Sequence, residues 1–310
     1  MTIHPGYIGI DVSKHWLDVF EPRSGESMRI ANTAKALAAL ARRIAASGDI
    51  AVFEATGGYD RRLREALIDA GAPHTRVNPA RARAFARAAG VLAKTDKVDA
   101  RMLASLGQAL GLVPDAQPEP DRERLADLVR RRDQLVDMRA QERARVSECL
   151  ERSLKADIEA HIDWLDRRIE RFDVEIAALC KQSDAIASEV KILLSAPGVG
   201  PVNSAVFASL LPELGARSPK TIAALAGLAP LNVDSGQKRG QRRIAGGRRR
   251  VREALYMAAV SAIRGKNRFA AFYRRLRAAG KSAKLALIAV ARKILIALNA
   301  MVRDNVPYAA

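Results

Sequence analysis

Asp11 closes the apolar run of YIGIDVS, and Glu54 closes that of DIAVFEAT; Asp96 and Asp99 lie three apart in KTDKVDARMLASLG. A carboxylate at the end of an otherwise buried strand is costly unless it is paired or bound to a cation. A spacing of three puts the carboxylates of Asp96 and Asp99 on one face of a helix. Aspartate also favours helix starts, through capping and the helix dipole. Capping accounts for Asp96 readily and less well for Asp99 together with acids on two strands. Four converging acids would repel one another without divalent cations, and an oxygen-only ligand set selects a hard ion such as Mg²⁺. Two such ions can activate a nucleophile and stabilise a leaving oxygen in phosphodiester chemistry.

A second chemical signal is GLAPLNVDSGQKRGQRRIAGGRRRVREALYMAAVSAIR. Between Lys238 and Arg252 the cations Lys238, Arg239, Arg242, Arg243, Arg248, Arg249, Arg250 and Arg252 crowd together without an acid, and Gly236, Gly240, Gly246 and Gly247 loosen the backbone. Such a run is usually a solvated loop, here suited to phosphate. Ser235 stands at its mouth. A serine before glycine is ordinarily a turn residue, and no neighbouring histidine marks this one as activated. Flanking arginines could nonetheless stabilise the charge that develops if its hydroxyl attacked a phosphate.

The elements that must position these groups follow from periodicity. YIGIDVS and WLDVF pattern as a β-hairpin, followed by a short strand at Met28–Ala31, a helix near Lys35–Ala46, a buried strand in DIAVFEAT, and a helix stopped by Gly71. HTRVN is a short strand, and Pro79 suits the first position of the next helix. A hairpin followed by alternating strands and helices predicts a mixed α/β sheet. PDAQPEPD, residues 114–121, reads as a linker. Between Asp121 and Ala196 there is neither proline nor glycine, and Ile158, Ile162, Leu165, Ile169, Phe172, Ile176 and Leu179 alternate in spacings of four and three. That is a heptad seam, either an intermolecular coiled coil or a packing face within one chain; Leu150 and Leu154 extend it upstream. PGVGP between two helices suggests a helix-hairpin-helix turn, in which Gly198 and Gly200 would offer backbone N–H groups to a phosphate; an ordinary turn is the plainer reading. The expected segments are 1–113, 114–194 and 195–310.

Across 310 residues, 52 Lys and Arg oppose 34 acids, giving a net charge of +18 and a pI of about 10.5. Hydrophobic residues are 49% and charged residues 28%, which excludes a disordered chain. The basic excess points to a polyanion, most often nucleic acid. MTIHPGYIGIDVS lacks a signal-peptide pattern, and KLALIAVARKILIALNAMV (284–302) is interrupted by Arg292 and Lys293, so it is expected as a buried helix and no membrane is expected. Cys149 and Cys180 stand alone, arguing against zinc or a disulfide framework and in keeping with a reducing cytoplasm.

The stretches YIGIDVSK, FEATGGY, VNPARARAFARAAG, KTDKVDA, APGVGPVNSA and GLAPLNVDSGQKRG, in this order, resemble the insertion-sequence transposases that join a DEDD, Holliday-junction-resolvase-like domain to a serine-bearing C-terminal domain, described as bridge-RNA-guided recombinases. The resemblance implies a ribonuclease-H-like α/β N-terminal domain, a coiled-coil insert and a mainly helical C-terminal domain. It implies Asp11, Glu54, Asp96 and Asp99 as metal ligands, with Mg²⁺ as cofactor, and Ser235 as the nucleophile joined to DNA. Donor and target DNA, a structured guide RNA and a dimeric or tetrameric assembly are the implied partners, in the bacterial cytosol or nucleoid. Two other functions compete: a metal-dependent nuclease or junction resolvase that uses water, and a basic coiled-coil protein that only packages nucleic acid.

Overall fold

The computed structural model describes residues 6–90, 96–116, 119–231 and 243–309, without the side chains of residues 96, 97 and 231. Ser235, Lys238, Arg239 and Arg242 therefore lie outside the described residues. The chain forms two compact units, Met1–Gln117 and Pro118–Ala310.

The first unit is built on β1 (Tyr7–Val12), β2 (Trp16–Glu21), β3 (Glu26–Ala31), β4 (Ile50–Glu54) and β5 (His74–Val77), in the spatial order β3-β2-β1-β4-β5. The first three strands form an antiparallel meander, while β1, β4 and β5 run parallel. Helices α1 (Ala34–Ser47), α2 (Arg61–Asp69), α3 (Pro79–Ala88) and α4 (Asp96–Leu110) complete it. This is the mixed α/β sheet expected from the order of the elements. Local signals act as the sequence suggests: Pro79 opens α3, and the Asn78 side chain caps it by accepting from the Ala80 N–H at 2.8 Å.

Strand parity divides the core. Ile8, Ile10, Val12, Leu17, Val19, Ala51 and Phe53 face α1 and α2 through Leu37, Leu40, Ile44, Leu63 and Leu67. Ile50, Val52 and Val77 face the other side, against Met102, Leu103 and Leu106 of α4. On that side Gly9 lets the helix lie directly on the strand, since a Cβ there would stand 1.8 Å from the Ala100 carbonyl oxygen. A Cβ at Gly107 would meet the Tyr7 ring at 2.6 Å. With Ala100 over Gly9 and Gly107 over Tyr7, α4 runs antiparallel to β1, so its first turn points toward Asp11.

The second unit is largely helical: α5 (Pro120–Glu148), α6 (Arg152–Gln182), α7 (Asp184–Leu194), α8 (Pro201–Leu210), α9 (Pro219–Leu225), α10 (Arg249–Ala262), α11 (Arg268–Ala278) and α12 (Ala283–Asp304), with a small ribbon of β6 (Pro230–Leu231) and β7 (Arg243–Ile244). Helices α5 and α6 form a hairpin within one chain. Leu135, Leu165 and Ile169 make a separate buried cluster there, whereas Leu125, Val129, Ile176, Leu179 and Cys180 join the main core with α8, α10 and α12. The seam is thus filled from Leu165 onward inside the chain, while Leu154 is 54% and Leu150 fully exposed. Helix α12 buries Val290, Ala291, Ile294, Leu295 and Leu298. Its buried Asn299 accepts from the Gly215 N–H and donates to the Arg217 carbonyl, both at 2.9 Å. Among the described residues, α12 is the helix long and apolar enough to cross a membrane, yet half of its apolar window is buried within the protein.

Candidate active site and cationic surfaces

Asp11 and Glu54 come together through register. Ile10 pairs with Phe53 across the parallel β1–β4 ladder, so the next residues along, Asp11 and Glu54, fall side by side at the C-terminal ends of the two strands, Asp11 one residue before the end of β1. By parity both follow Tyr7, Gly9, Ile50 and Val52 onto the α4 face. Asp99 immediately precedes Ala100, the residue that lies on Gly9, so the first turn of α4 brings it to the same end of the same face. Asp11, Glu54 and Asp99 are each partly buried. Asp96 is the first residue of α4, and its side chain is outside the description. The backbones of adjacent strands lie about 5 Å apart, so the two acidic side chains rise from neighbouring positions, and an all-carboxylate donor set of this kind suits a hard divalent ion. Among the described residues no group of three or more His, Cys, Asp or Glu side chains is arranged to hold a metal ion.

A fifth acid, which sequence reasoning passed over, stands beside this cluster. Asp18 lies directly opposite Asp11 in the β1–β2 ladder and is buried. Its charge is already answered by Arg29, its neighbour on β3, whose Nη2 and Nε donate at 2.8 and 3.1 Å. The signal was present as an acid at an alternating position of WLDVF, but its cation became visible only with the β2–β3 register.

In the second unit the structure separates cations that one sequence run had grouped. Arg248 is held by Glu213, at 2.6 Å through Nη2, and donates to the Leu210 carbonyl at 3.1 Å. Burial pushes the Glu213 carboxyl up, but hydrogen bonding and charge from Arg248 outweigh it and hold the group below its usual range. Arg250 donates to Asp133 of α5 at 2.5 Å, bracing α10 against the hairpin. Arg249 pairs along its own helix with Glu253 at 2.7 Å and is exposed, and Arg243 in β7 is exposed. Gly198 has a packing reason: at φ 86° it sits against α10, where a Cβ would meet the Ala258 carbonyl oxygen at 2.2 Å. Gly200 is the N-cap residue of α8, with open space at its Cβ position.

A further cationic face was missed. From Ala254 to Arg303 the sequence holds no acid. Arg268, Phe272 and Arg275 fall on one stripe of α11 at helical spacing, and Lys293 reaches them from α12. Lys293 Nζ lies 4.4 Å and the Arg275 guanidinium 5.3 Å from the Phe272 ring centre, while Arg268 lies 5.5 Å from that of Tyr308. Aromatic rings rather than carboxylates hold these cations, so their charge remains available to an anion. The absence of acids over this length was the sequence signal that could have found them.

Residues 190–274 match the family described as Transposase IS116/IS110/IS902, and residues 8–154 match a DEDD transposase family of IS110 type. The chain is similar to the pilin gene-inverting proteins of Moraxella lacunata and Moraxella bovis, 30% identical over 317 residues that cover 97% of this chain and 97% of each relative. It is also similar to the uncharacterized 44.8 kDa protein of insertion element IS116 from Streptomyces clavuligerus, 33% identical over 154 residues covering 49% of this chain and 38% of that protein. The 8–154 range contains the four candidate acids, and the 190–274 range contains Ser235.

Proposed function

From the chain's place in the IS116/IS110/IS902 family of transposases, to which it belongs and which makes DNA recombination its activity, we propose a mechanism in which strand cleavage and exchange pass through a serine–DNA ester. Asp11, Glu54, Asp96 and Asp99 hold divalent metal, Mg²⁺ by preference of the oxygen donors. When bound, the metal supplies charge neutralisation at the scissile phosphate and at the departing oxygen. The observation that supports this reading is the register that sets Asp11 beside Glu54 under the first turn of α4.

Ser235 Oγ attacks the scissile phosphorus and loses its proton; the bond to one DNA oxygen breaks, and that oxygen takes up a proton as it leaves. The phosphoserine ester keeps the bond energy of the phosphodiester, so a hydroxyl of the incoming strand can displace Ser235 and reseal the backbone without a nucleotide cofactor. Arg243 and the neighbouring cations Lys238, Arg239 and Arg242 offset charge on the phosphate. Arg268, Arg275 and Lys293 hold backbone phosphates away from the chemistry. A structured guide RNA selects the sites by base pairing, as a chain with only 5% aromatic residues reads few bases by stacking. Assembly is as a dimer or tetramer, in the bacterial cytosol or nucleoid.

The test is to incubate the protein with Mg²⁺, labelled donor DNA and the flanking RNA of its element, and to look for a denaturation-resistant protein–DNA adduct. An adduct in the wild type that is absent in Ser235→Ala supports the serine mechanism. Equal cleavage by both proteins without an adduct replaces it with a water-using nuclease.

A further inference from the structure

Trp16, Asp18 and Phe20 project from one face of β2, the face that also carries Asp11. Two of the three have partners there. Asp18 is held by Arg29, and the Phe20 ring lies under the Arg101 guanidinium of α4 at 5.0 Å. Trp16 belongs to neither core cluster of its unit, and its side chain is 50% exposed. Among the described residues its indole has no aromatic or cationic neighbour.

This exposure does not come from a loose loop. Ser13 Oγ donates to the Trp16 carbonyl at 2.8 Å and accepts from the Trp16 N–H at 3.2 Å, and the Ser13 N–H donates to the same carbonyl at 2.9 Å. The buried Asn32 secures the turn from outside by donating to the Ser13 carbonyl at 2.9 Å. The backbone that carries this large apolar ring is thus held by hydrogen bonds, and the residue is left half exposed beside the carboxylates. Asp18 is the direct cross-strand partner of Asp11, so Trp16, two residues earlier, is the diagonal neighbour of Asp11 on the same face. Diagonal neighbours stand on the order of 7–8 Å apart, within reach of an aromatic side chain.

We infer that Trp16 is a base-stacking residue of the acidic site: its indole holds an unpaired nucleobase adjoining the phosphate that Asp11 and Glu54 address. The inference rests on the reading of those carboxylates as the site of phosphodiester chemistry. A flat, unpartnered indole offers a π-face to any base, which makes such a contact tolerant of sequence. The site would therefore act on a strand whose bases are splayed from a duplex, and Trp16 would position that strand without taking part in bond making.

The chain's other tryptophan, Trp164 on α6, is 45% exposed and provides the control. In a Trp164→Phe protein the remaining indole is Trp16, whose emission is followed while a short oligothymidylate is added, with a base-free deoxyribose-phosphate strand of equal length as the second arm. Stacking predicts quenching by the first strand only. It also predicts that Trp16→Ala weakens oligothymidylate binding about five- to a hundredfold, while Trp16→Phe stays within roughly threefold of wild type. Equal quenching by both strands would reduce the contact to phosphate proximity and overturn the inference. So would unchanged affinity in Trp16→Ala, or an emission change that follows protein concentration without any oligonucleotide, which would make Trp16 a contact between copies. These readouts need neither metal nor Ser235. Quenching without strand chemistry would leave Trp16 a base contact while removing the catalytic reading, and chemistry without quenching would do the reverse.

Discussion

The α5–α6 hairpin and the α11–α12 pair are both rich in arginine, and they hold a group of cations each in opposite ways. Arg168, on the Trp164 ring in the hairpin, and Arg303, beside Asp304 in α12, are exceptions. In the hairpin, Arg130, Arg132, Arg139, Arg143, Arg145 and Arg171 each reach a carboxylate of the same hairpin, among them Asp127, Asp166 and Asp173. On α11–α12, Arg268, Arg275 and Lys293 lean on aromatic rings in a stretch without acids. Cations answered by acids orient helices; cations answered by rings keep their charge for a partner. The net charge of +18 is therefore a poor guide to where nucleic acid sits. Arg248 and Arg250, the centre of the most basic run in the sequence, turn out to be bound to Glu213 and Asp133.

The largest expected effect tests the hairpin as a structural element. Leu165 is fully buried between α5 and α6, so Leu165→Ala should cost about 2–5 kcal/mol, read as a shifted urea midpoint. Affinity for duplex DNA, measured where the protein is folded, should stay unchanged. Next, the triple change Arg268→Gln, Arg275→Gln, Lys293→Gln should lower duplex affinity on the order of 100-fold at 0.1 M salt and reduce the slope of log K against log salt by about 2.7. Its cost in stability should be about 1.5–3 kcal/mol, from three cation–π contacts of about 0.5–1 kcal/mol each. Loss of affinity without a change in slope would show that these cations do not neutralise phosphates.

A smaller effect is expected at the junction of the two classes. Asp133→Ala leaves Arg250 without its carboxylate, and because the pair is partly solvated the loss should be about 1–2 kcal/mol rather than the full cost of breaking a buried pair. Duplex affinity should rise slightly as Arg250 is released. The finest test uses pH. The Glu213 carboxyl is held below its ordinary value of 4.5 in the folded state, so its pairing with Arg248 contributes stability that is fully present above that value. That contribution is lost as pH falls through the lower folded value. Glu189 runs the other way: burial outweighs Arg122 and raises its carboxyl, so its ionisation opposes folding as pH rises above 4.5. Glu213→Gln should therefore flatten the acid limb of the stability curve, and Glu189→Gln should not.

Much of the first unit was legible because its signals are local. The short strands, the Pro79 start and the Gly71 stop appear where the sequence places them, and the helix expected over 35–46 is α1, Ala34–Ser47. Asp11 and Glu54 stood out as acids at strand ends, and Asp96 and Asp99 as a pair at a helix start. That Asp11 and Glu54 adjoin is a matter of register, which depends on a strand pairing across some forty residues. The heptad seam was equally plain, while its partner was not. Periodicity reports an apolar stripe and is silent on what covers it, and here the stripe is covered by α5 at Leu165 and Ile169, joins the main core at Ile176 and Leu179, and is left open at Leu150 and Leu154.

What the sequence by itself determined was the set of elements, the sheet class, the acids worth watching and the polyanionic character of the partner. Each follows from the order of neighbouring residues or from composition. Only tertiary structure decided that Asp18 is spent on Arg29, that Arg250 braces a helix 117 positions away, and that Trp16 remains open beside Asp11. The physical reason is that the fate of a charge or a ring depends on its nearest neighbours in space, and long-range pairing chooses those neighbours.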